Sequence, residues 1–316
     1  MPRTTRRTML RTAAQGALVG AAAIGVAATP AHASGRPSPT FVFVHGANSS
    51  GGLWTPVIVE LAALGYRAVA VDLPGHGLQA SIPVSYQAPQ DLDAFATEPS
   101  NMAAVTLDST VSFLTDVVRR VAAHGPVILV GQSLGGLSIT GVANRVPHLV
   151  SRLVYISAFC CVELPTVYDY YVTPEGLPSA VLTIPKVGDP AQTGALRTNW
   201  RSADPTFLEE VRTAFLADGT EEQLRAIIAG CQPDESALMS FTDARIDPTT
   251  WGRVPHTFVR LTDDQAIPLP LQDKMIAEAD AATPHNKFDL HTLTSSHLGY
   301  LTRPQTMSTI LAGLAH

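Results

Sequence analysis

The stretch Val127–Gly136, VILVGQSLGG, decides how the chain is read. Val127, Ile128, Leu129 and Val130 form a continuous apolar run rich in β-branched residues, the pattern of a strand buried on both faces of a parallel sheet. Gly131-Gln132-Ser133-Leu134-Gly135 follows at once and fits G-x-S-x-G. A strand turning straight into a helix puts Ser133 on a strained backbone, and the flanking glycines remove the Cβ atoms that would collide there. The Ser133 hydroxyl then stands above the sheet edge at a helix N-terminus, where free backbone N–H groups favour a developing anion. A serine so placed is a candidate nucleophile. The rest of the chain must then supply a base, an acid and an oxyanion hole.

Composition allows this. The chain has 316 residues, 46% of them hydrophobic and 15% charged, enough for one large domain with a full core. Its N-terminus reads as a leader outside that domain. Arg3, Arg6, Arg7 and Arg11 precede a Gly/Ala-rich apolar run from Ala13 to Ala28, and Ala31-His32-Ala33 follows. A basic region, a mildly apolar region and an A-x-A site describe a secretory signal over 1–33, with the mature chain starting near Ser34. Thr5-Arg6-Arg7-Thr8-Met9-Leu10-Arg11 resembles a twin-arginine signal, and the apolar run is too short and alanine-rich for a comfortable membrane span. The expected location is therefore extracellular, without stable membrane insertion. Removing those four arginines from the 21 basic residues leaves 17 against 27 acidic, a net charge of −10. Such a balance argues against nucleic acid or an anionic membrane surface as partner. The three cysteines, Cys160, Cys161 and Cys231, lack metal-ligand spacing, so neither a metal nor another cofactor is expected. Export permits a disulfide from Cys231 to Cys160 or Cys161; the alternative is three free thiols.

Strand and helix patterns alternate on both sides of the serine. Thr40–Val44 (TFVFV) reads as the first core strand and runs into His45-Gly46-Ala47-Asn48; a helix follows from Pro56 to Leu64. Tyr66–Val71 is the next strand, ending in Asp72-Leu73-Pro74-Gly75-His76-Gly77, where Asp72 and His76 read as structural. Residues 78–104 show no clear periodicity and read as a long surface loop edging the pocket. Apolar positions between Val105 and Ala123 form one helical stripe, the crossover that delivers the chain to Val127. The helix Leu134–Asn144 and the strand Leu153–Ser157 continue the rhythm of a doubly wound sheet. The rhythm breaks over 158–250, where prolines, an aromatic cluster (Tyr168, Tyr170, Tyr171) and helical patterns near Pro205–Leu216 and Glu221–Ala229 predict a mostly helical cap over the site. His256–Leu261, a helix through Ala277, Lys287–Leu293 and a last helix from Arg303 to Leu314 complete the core, which thus comprises 34–157 and 251–316.

In this topology the acid and the histidine follow the serine in that order. His297, just past the last strand, is the only one of ten histidines in position to act as base. The acid follows the penultimate strand: Asp264, before the Ala-Ile-Pro turn, is the choice, with Asp263 next and Glu163 a remote third. The backbone N–H groups of Ala47 and Leu134 are the expected oxyanion donors, with His45 holding their loop. Gly46, Asn48, Trp54, Tyr168 and Leu298 are expected to line the pocket.

FVFVHGAN, DLPGHG, GQSLGG, FTDARI, TDDQAIP and SSHLGYL together resemble the α/β-hydrolase family of plant methylesterases and hydroxynitrile lyases. The likeness covers most of 40–316. It implies an α/β-hydrolase fold, a mostly parallel doubly wound sheet with an inserted helical cap over a small apolar pocket, and an esterase with Ser133, Asp264 and His297 as triad and Ala47 and Leu134 as donors. The lyase branch carries a lysine after the histidine and a threonine in the first oxyanion loop. Here those positions hold Leu298 and Gly46, which keeps the esterase pattern. Ser133 at the elbow also argues against dehalogenases and epoxide hydrolases, which use Asp there. The expected partner is a small-molecule ester. A lactonase or C–C bond hydrolase on the same triad, and a non-catalytic ligand-binding protein of this shape, are the alternatives.

Overall fold

The structure, a computed structural model, describes residues 38–316; the leader expected over 1–33 lies outside the described residues. In chain order the strands are β1 (Thr40–Val44), β2 (Arg67–Val71), β3 (Val127–Ser133), β4 (Arg152–Ala158), β5 (Ala195–Arg197), β6 (Asp234–Ser236), β7 (His256–Leu261) and β8 (Asp289–Leu293). The helices are α1 (Thr55–Ala63), α2 (Leu92–Thr97), α3 (Leu107–Ala122), α4 (Gly135–Arg145), α5 (Val167–Tyr171), α6 (Pro190–Thr193), α7 (Pro205–Phe215), α8 (Glu221–Ile228), α9 (Leu269–Ala282) and α10 (Pro304–Gly313).

All six runs expected as core strands pair in parallel, in the order β2-β1-β3-β4-β7-β8. Alternate residues of each strand feed two apolar layers. Phe41, Phe43, Ile128 and Val130 pack on one face, with α1 and α10. Val42, Val44, Leu129 and Tyr155 pack on the other, with α3, α4 and α9. Both faces of β1, β3 and β4 are covered, which is why these strands read as nearly unbroken apolar runs. The chain runs from β1 outward to β2 and then crosses to β3 on β1's other side. The crevice beyond the strand ends at that reversal is where ligands bind in open α/β sheets. Register places Val44 opposite Gly131, so the loop after β1 lies beside Gln132 and Ser133.

Two stretches differ from expectation. Residues 78–104 are not a bare loop: Asp91 caps the short helix α2, and the fully buried Arg197 ties that helix down. The Arg197 guanidinium pairs with both oxygens of Asp234 at 2.7 and 2.8 Å, donates to the carbonyls of Phe95 and Glu98, and lies 4.8 Å over the Phe95 ring. Between β4 and β7 there are helices, as the pattern suggested, but also the antiparallel pair β5–β6. Three residues per strand are too few for a period to show.

The disulfide alternative is also corrected, since all three cysteines are free. Cys160 and Cys161 follow β4 into the layer on one face of the sheet, whereas Cys231 follows α8 into the layer on the other.

Two substitutions test this packing. A Cβ at Gly136 would lie 2.1 Å from the Phe159 carbonyl oxygen, so Gly136→Ala should cost about 1–3 kcal/mol or more in chemical denaturation. Arg197→Met strands the buried Asp234 carboxylate and should cost about 3–5 kcal/mol in the same measurement.

Candidate active site

The end of β3 forms the elbow. Ser133 has φ +53°, in the left-handed region that a residue with a side chain adopts only when its surroundings impose it. They do so by contact. A Cβ on Gly135 would sit 2.6 Å from the His45 carbonyl oxygen, and one on Gly131 would sit 3.0 Å from that of Gly135. The bare backbone lets the start of α4 close on the loop after β1, which brings Leu134 and Ala47 to the same cavity as Ser133.

His45 sets that loop. The Leu73 N–H donates to its Nε2 at 3.1 Å, so the ring proton is on Nδ1 and is donated to the Gly46 carbonyl at 2.8 Å. Burial, and next the charge of neighbouring His76, pull the His45 pKa down to about 4, which keeps the ring neutral. In a trans peptide the carbonyl of one residue and the N–H of the next point in opposite directions. Holding the Gly46 carbonyl therefore turns the Ala47 N–H the other way. Neither the Ala47 nor the Leu134 N–H has a hydrogen-bond acceptor among the described residues.

Asp264 follows β7 and is almost wholly buried. Its Oδ1 accepts from the N–H groups of Ala266 and Ile267 at 2.7 and 2.9 Å, the Asx turn foreshadowed by the Ala-Ile-Pro sequence. Its Oδ2 accepts from the Ser157 hydroxyl at 2.6 Å and from His297 Nδ1 at 2.5 Å. Asp263 is exposed and bonds its neighbour Thr262, and Glu163 is exposed on the connection after β4. Geometry thus brings Asp264, and neither alternative, to His297. The imidazole lies 5.8 Å from the Phe215 ring, and the Leu298 N–H donates to the Phe215 carbonyl at 2.8 Å. With Nδ1–H given to Asp264, Nε2 carries the lone pair, and the Gln132 amide donates to it at 2.7 Å. For Ser133 to pass its proton to His297, the Gln132 side chain must yield that position.

Ser133 and His297 form the base of a cavity of about 320 Å³ with mainly apolar walls, among them Phe159, Tyr171, Trp200, Phe215 and Ile228. At its rim the half-exposed Tyr168 and the exposed Phe241 pack 5.2 Å apart. Of the residues expected to line it, Asn48, Tyr168 and Leu298 do so. Two others do not. Trp54 is fully buried in the core layer, 4.7 Å from the Phe43 ring. Gly46 lies behind the base of the cavity, where its Cβ would be 2.7 Å from Gln132 Oε1 and 2.8 Å from Ser133 Cβ. Among the described residues no group of three His, Cys, Asp or Glu side chains is placed to hold a metal ion.

Sequence reasoning missed three residues that the site includes. Gln132 lies inside the elbow motif at a position where the G-x-S-x-G pattern accepts any residue. Ser157 stands next to the end of β4, and its φ of +36° is invisible in sequence. Glu235 lines the cavity from β6, where no periodicity or motif marks it.

Comparison with known proteins agrees with this architecture. Residues 41–308 match the model of the alpha/beta hydrolase family. A pyrethroid hydrolase from Sphingobium wenxiniae is 26% identical over 282 residues, covering 87% of this chain and 86% of that protein. The putative chloroplastic methylesterase 11 of Arabidopsis thaliana is 22% identical over 287 residues, 87% of this chain and 63% of that protein. The solved structure of an extracellular alpha/beta-hydrolase from a Paenibacillus species superposes with a TM-score of 0.64 at 20% identity, over 88% of this chain and 99% of that one. Six parallel strands around a serine elbow, and a family match over most of the chain's length, lead to one conclusion: the chain belongs to the alpha/beta hydrolase family.

Proposed function

We propose that the chain is an exported serine carboxylic-ester hydrolase acting on small, largely apolar esters. The observation that carries this reading is the buried Asp264–His297 pair at 2.5 Å, set beside an elbow serine in an apolar cavity. Ser133 Oγ attacks the ester carbonyl while His297 Nε2 takes its proton, and the N–H groups of Ala47 and Leu134 receive the oxyanion. His297 then protonates the leaving alcohol, and a water activated in the same way releases the acid from the acyl-enzyme. Asp264 fixes the imidazole tautomer and stabilises its positive form without taking up the proton. Each oxyanion donor contributes roughly 3–4 kcal/mol to the transition state. In this reading residues 158–250 act as a cap whose aromatic rim admits the substrate. The likeness to a pyrethroid hydrolase and to a putative methylesterase supports ester cleavage. Export is supported by the leader pattern and by an extracellular structural neighbour; no helix among the described residues is long and apolar enough to cross a membrane.

A p-nitrophenyl ester series from acetate to palmitate tests the activity. Cleavage should be fastest with short or medium acyl chains, as a cavity of about 320 Å³ admits, and should fall with Ser133→Ala by at least roughly 10⁴-fold. Failure on every ester, with turnover of lactones or C–C bonds abolished in the same variant, would move the reaction to that class. Asp264→Asn keeps the turn but offers His297 the wrong partner, so kcat should drop by roughly 10⁴-fold with KM little changed. Replacing Arg6 and Arg7 together by lysine should hold the chain inside the cell, whereas the wild-type secreted product should begin near Ser34 by N-terminal sequencing.

A further inference from the structure

The segment around β6 is bolted to the loop that carries Ala47. The Gln232 N–H donates to the Asn48 carbonyl at 2.9 Å, and the Asn48 side-chain amide donates to the carbonyls of Gln232 and Pro233 at 3.1 and 3.2 Å. The Gln232 side chain bridges the Gly77 N–H and the Gly75 carbonyl, both at 3.2 Å. At the centre of this contact Glu235 Oε2 accepts from the Asn48 N–H at 3.0 Å and from His76 Nε2 at 3.1 Å, while Oε1 accepts from the Ser236 N–H at 2.9 Å. His76 Nδ1 faces the Pro74 carbonyl at 3.0 Å. Both ring nitrogens thus face acceptors, the arrangement of an imidazolium. Glu235 and His76 are both buried.

Asn48 has φ +54°, a conformation that must be held. The Ala47 Cα lies between two peptide planes. His45 holds the Gly46 carbonyl of the first, and Glu235 holds the Asn48 N–H of the second. Fixing both planes fixes φ and ψ of Ala47, and with them the direction of its N–H. Glu235 lines the cavity, yet each of its oxygens is already engaged by the donors named above, so it has no proton to exchange with substrate.

We infer that Glu235, backed by His76, is a positioning residue for the oxyanion hole, holding the Asn48 N–H out of the site so that the Ala47 N–H faces it. This rests on the serine-hydrolase reading of Ser133. The role is one of reach: the acceptor must stand where the Asn48 N–H is.

The pair also confers a pH dependence. The titratable groups around it are His45, its ring 4.7 Å from that of His76, and Asp72, which accepts from the Gly51 N–H at 2.7 Å. Burial opposes ionisation of Glu235, but the His76 charge and hydrogen bond, with the Asn48 and Ser236 N–H groups, more than offset it and hold its pKa below the ordinary value. Burial likewise opposes protonation of His76, and the Glu235 charge and hydrogen bond outweigh it and raise its pKa. The Glu235 contribution is present above its unfolded value and lost as pH falls through the lowered folded pKa. The His76 contribution is full below its unfolded value and lost as pH rises through the raised one. Stability conferred by the pair is therefore greatest between the two. The alkaline loss should shrink in Glu235→Gln, measured as melting temperature against pH.

Two variants separate reach from charge. Glu235→Asp keeps the charge but withdraws the acceptor by one methylene; Glu235→Gln keeps the reach and loses the charge. The rate of Ser133 phosphonylation by a fluorophosphonate, followed by intact mass, should fall at least tenfold in Glu235→Asp and stay within about threefold of wild type in Glu235→Gln. On the best p-nitrophenyl ester, kcat should follow the same order with KM within about twofold. Wild-type reactivity in Glu235→Asp, or equal slowing in both variants, overturns the inference. A wild-type protein that is not phosphonylated at Ser133 overturns the serine-hydrolase reading instead. Amide hydrogen exchange at Asn48, read by NMR, tests the positioning bond in either case. It should be slow in wild type and Glu235→Gln and fast in Glu235→Asp, and slow exchange in all three overturns the bond's role.

Discussion

Close approach of bare backbone at the elbow is the constraint on which the rest of the site depends. β3 can pass into α4 at Ser133 only because positions 131, 135 and 136 carry no Cβ, and the helix start then packs against the carbonyl of His45 on one side and that of Phe159 on the other. This wedges the first turn of α4 between the loops following β1 and β4. The non-glycine residues with positive φ among those described are Asn48, Ser133 and Ser157, and they stand just after, at the end of, and near the end of β1, β3 and β4. Backbone strain is thus gathered at one edge of three adjacent strands, where the candidate site is, and the stiff two-layered sheet beneath it is what sustains it.

Polar groups at that edge are nearly all committed. Asp264 accepts four hydrogen bonds, His45 is held on both nitrogens, and Glu235 and His76 satisfy each other and the backbone around them. Buried polar groups satisfied in this way rigidify their surroundings. Among the described residues, the N–H groups of Ala47 and Leu134, which line the same cavity as the serine, are left without an acceptor. Donors fixed in advance, in a cavity lined mostly by apolar side chains, need no reorganisation when charge develops. The Gln132 amide occupies His297 Nε2, the nitrogen turned away from Asp264.

The legible parts of the chain were those with a short-range physical cause. Parallel strands covered on both faces are continuous apolar runs, which made β1, β3 and β4 visible, while the edge strands β2 and β8 showed as mixed runs. An elbow needs glycine at defined offsets, and an acid in the turn after β7, just before Ala-Ile-Pro, marks Asp264 over Asp263. Pocket lining was harder, because it depends on which way a side chain leaves an element of unknown orientation. Trp54 precedes α1 and packs on Phe43 in the core, and Gly46 backs the elbow without reaching the cavity. The antiparallel pair β5–β6 carries no usable period at three residues per strand, and its two acids face different tasks: Asp234 neutralises Arg197, while Glu235 reaches the Asn48 loop.

Taken alone, the sequence determined the strand order in the chain, the position of the elbow and the identity of a serine, an acid and a histidine spaced for one sheet edge. These follow from local sterics and periodicity, which act between residues a few positions apart. Tertiary structure decided which groups meet across the fold: Ser157 on Asp264, Gln132 on His297, Glu235 on Asn48, and cysteines parted by the sheet. The three hydrogen-bonded pairings span from 107 to 187 positions along the chain, and no local rule reaches so far. They arise only when packing has brought the strand ends together, because a hydrogen bond selects its partner by distance in space.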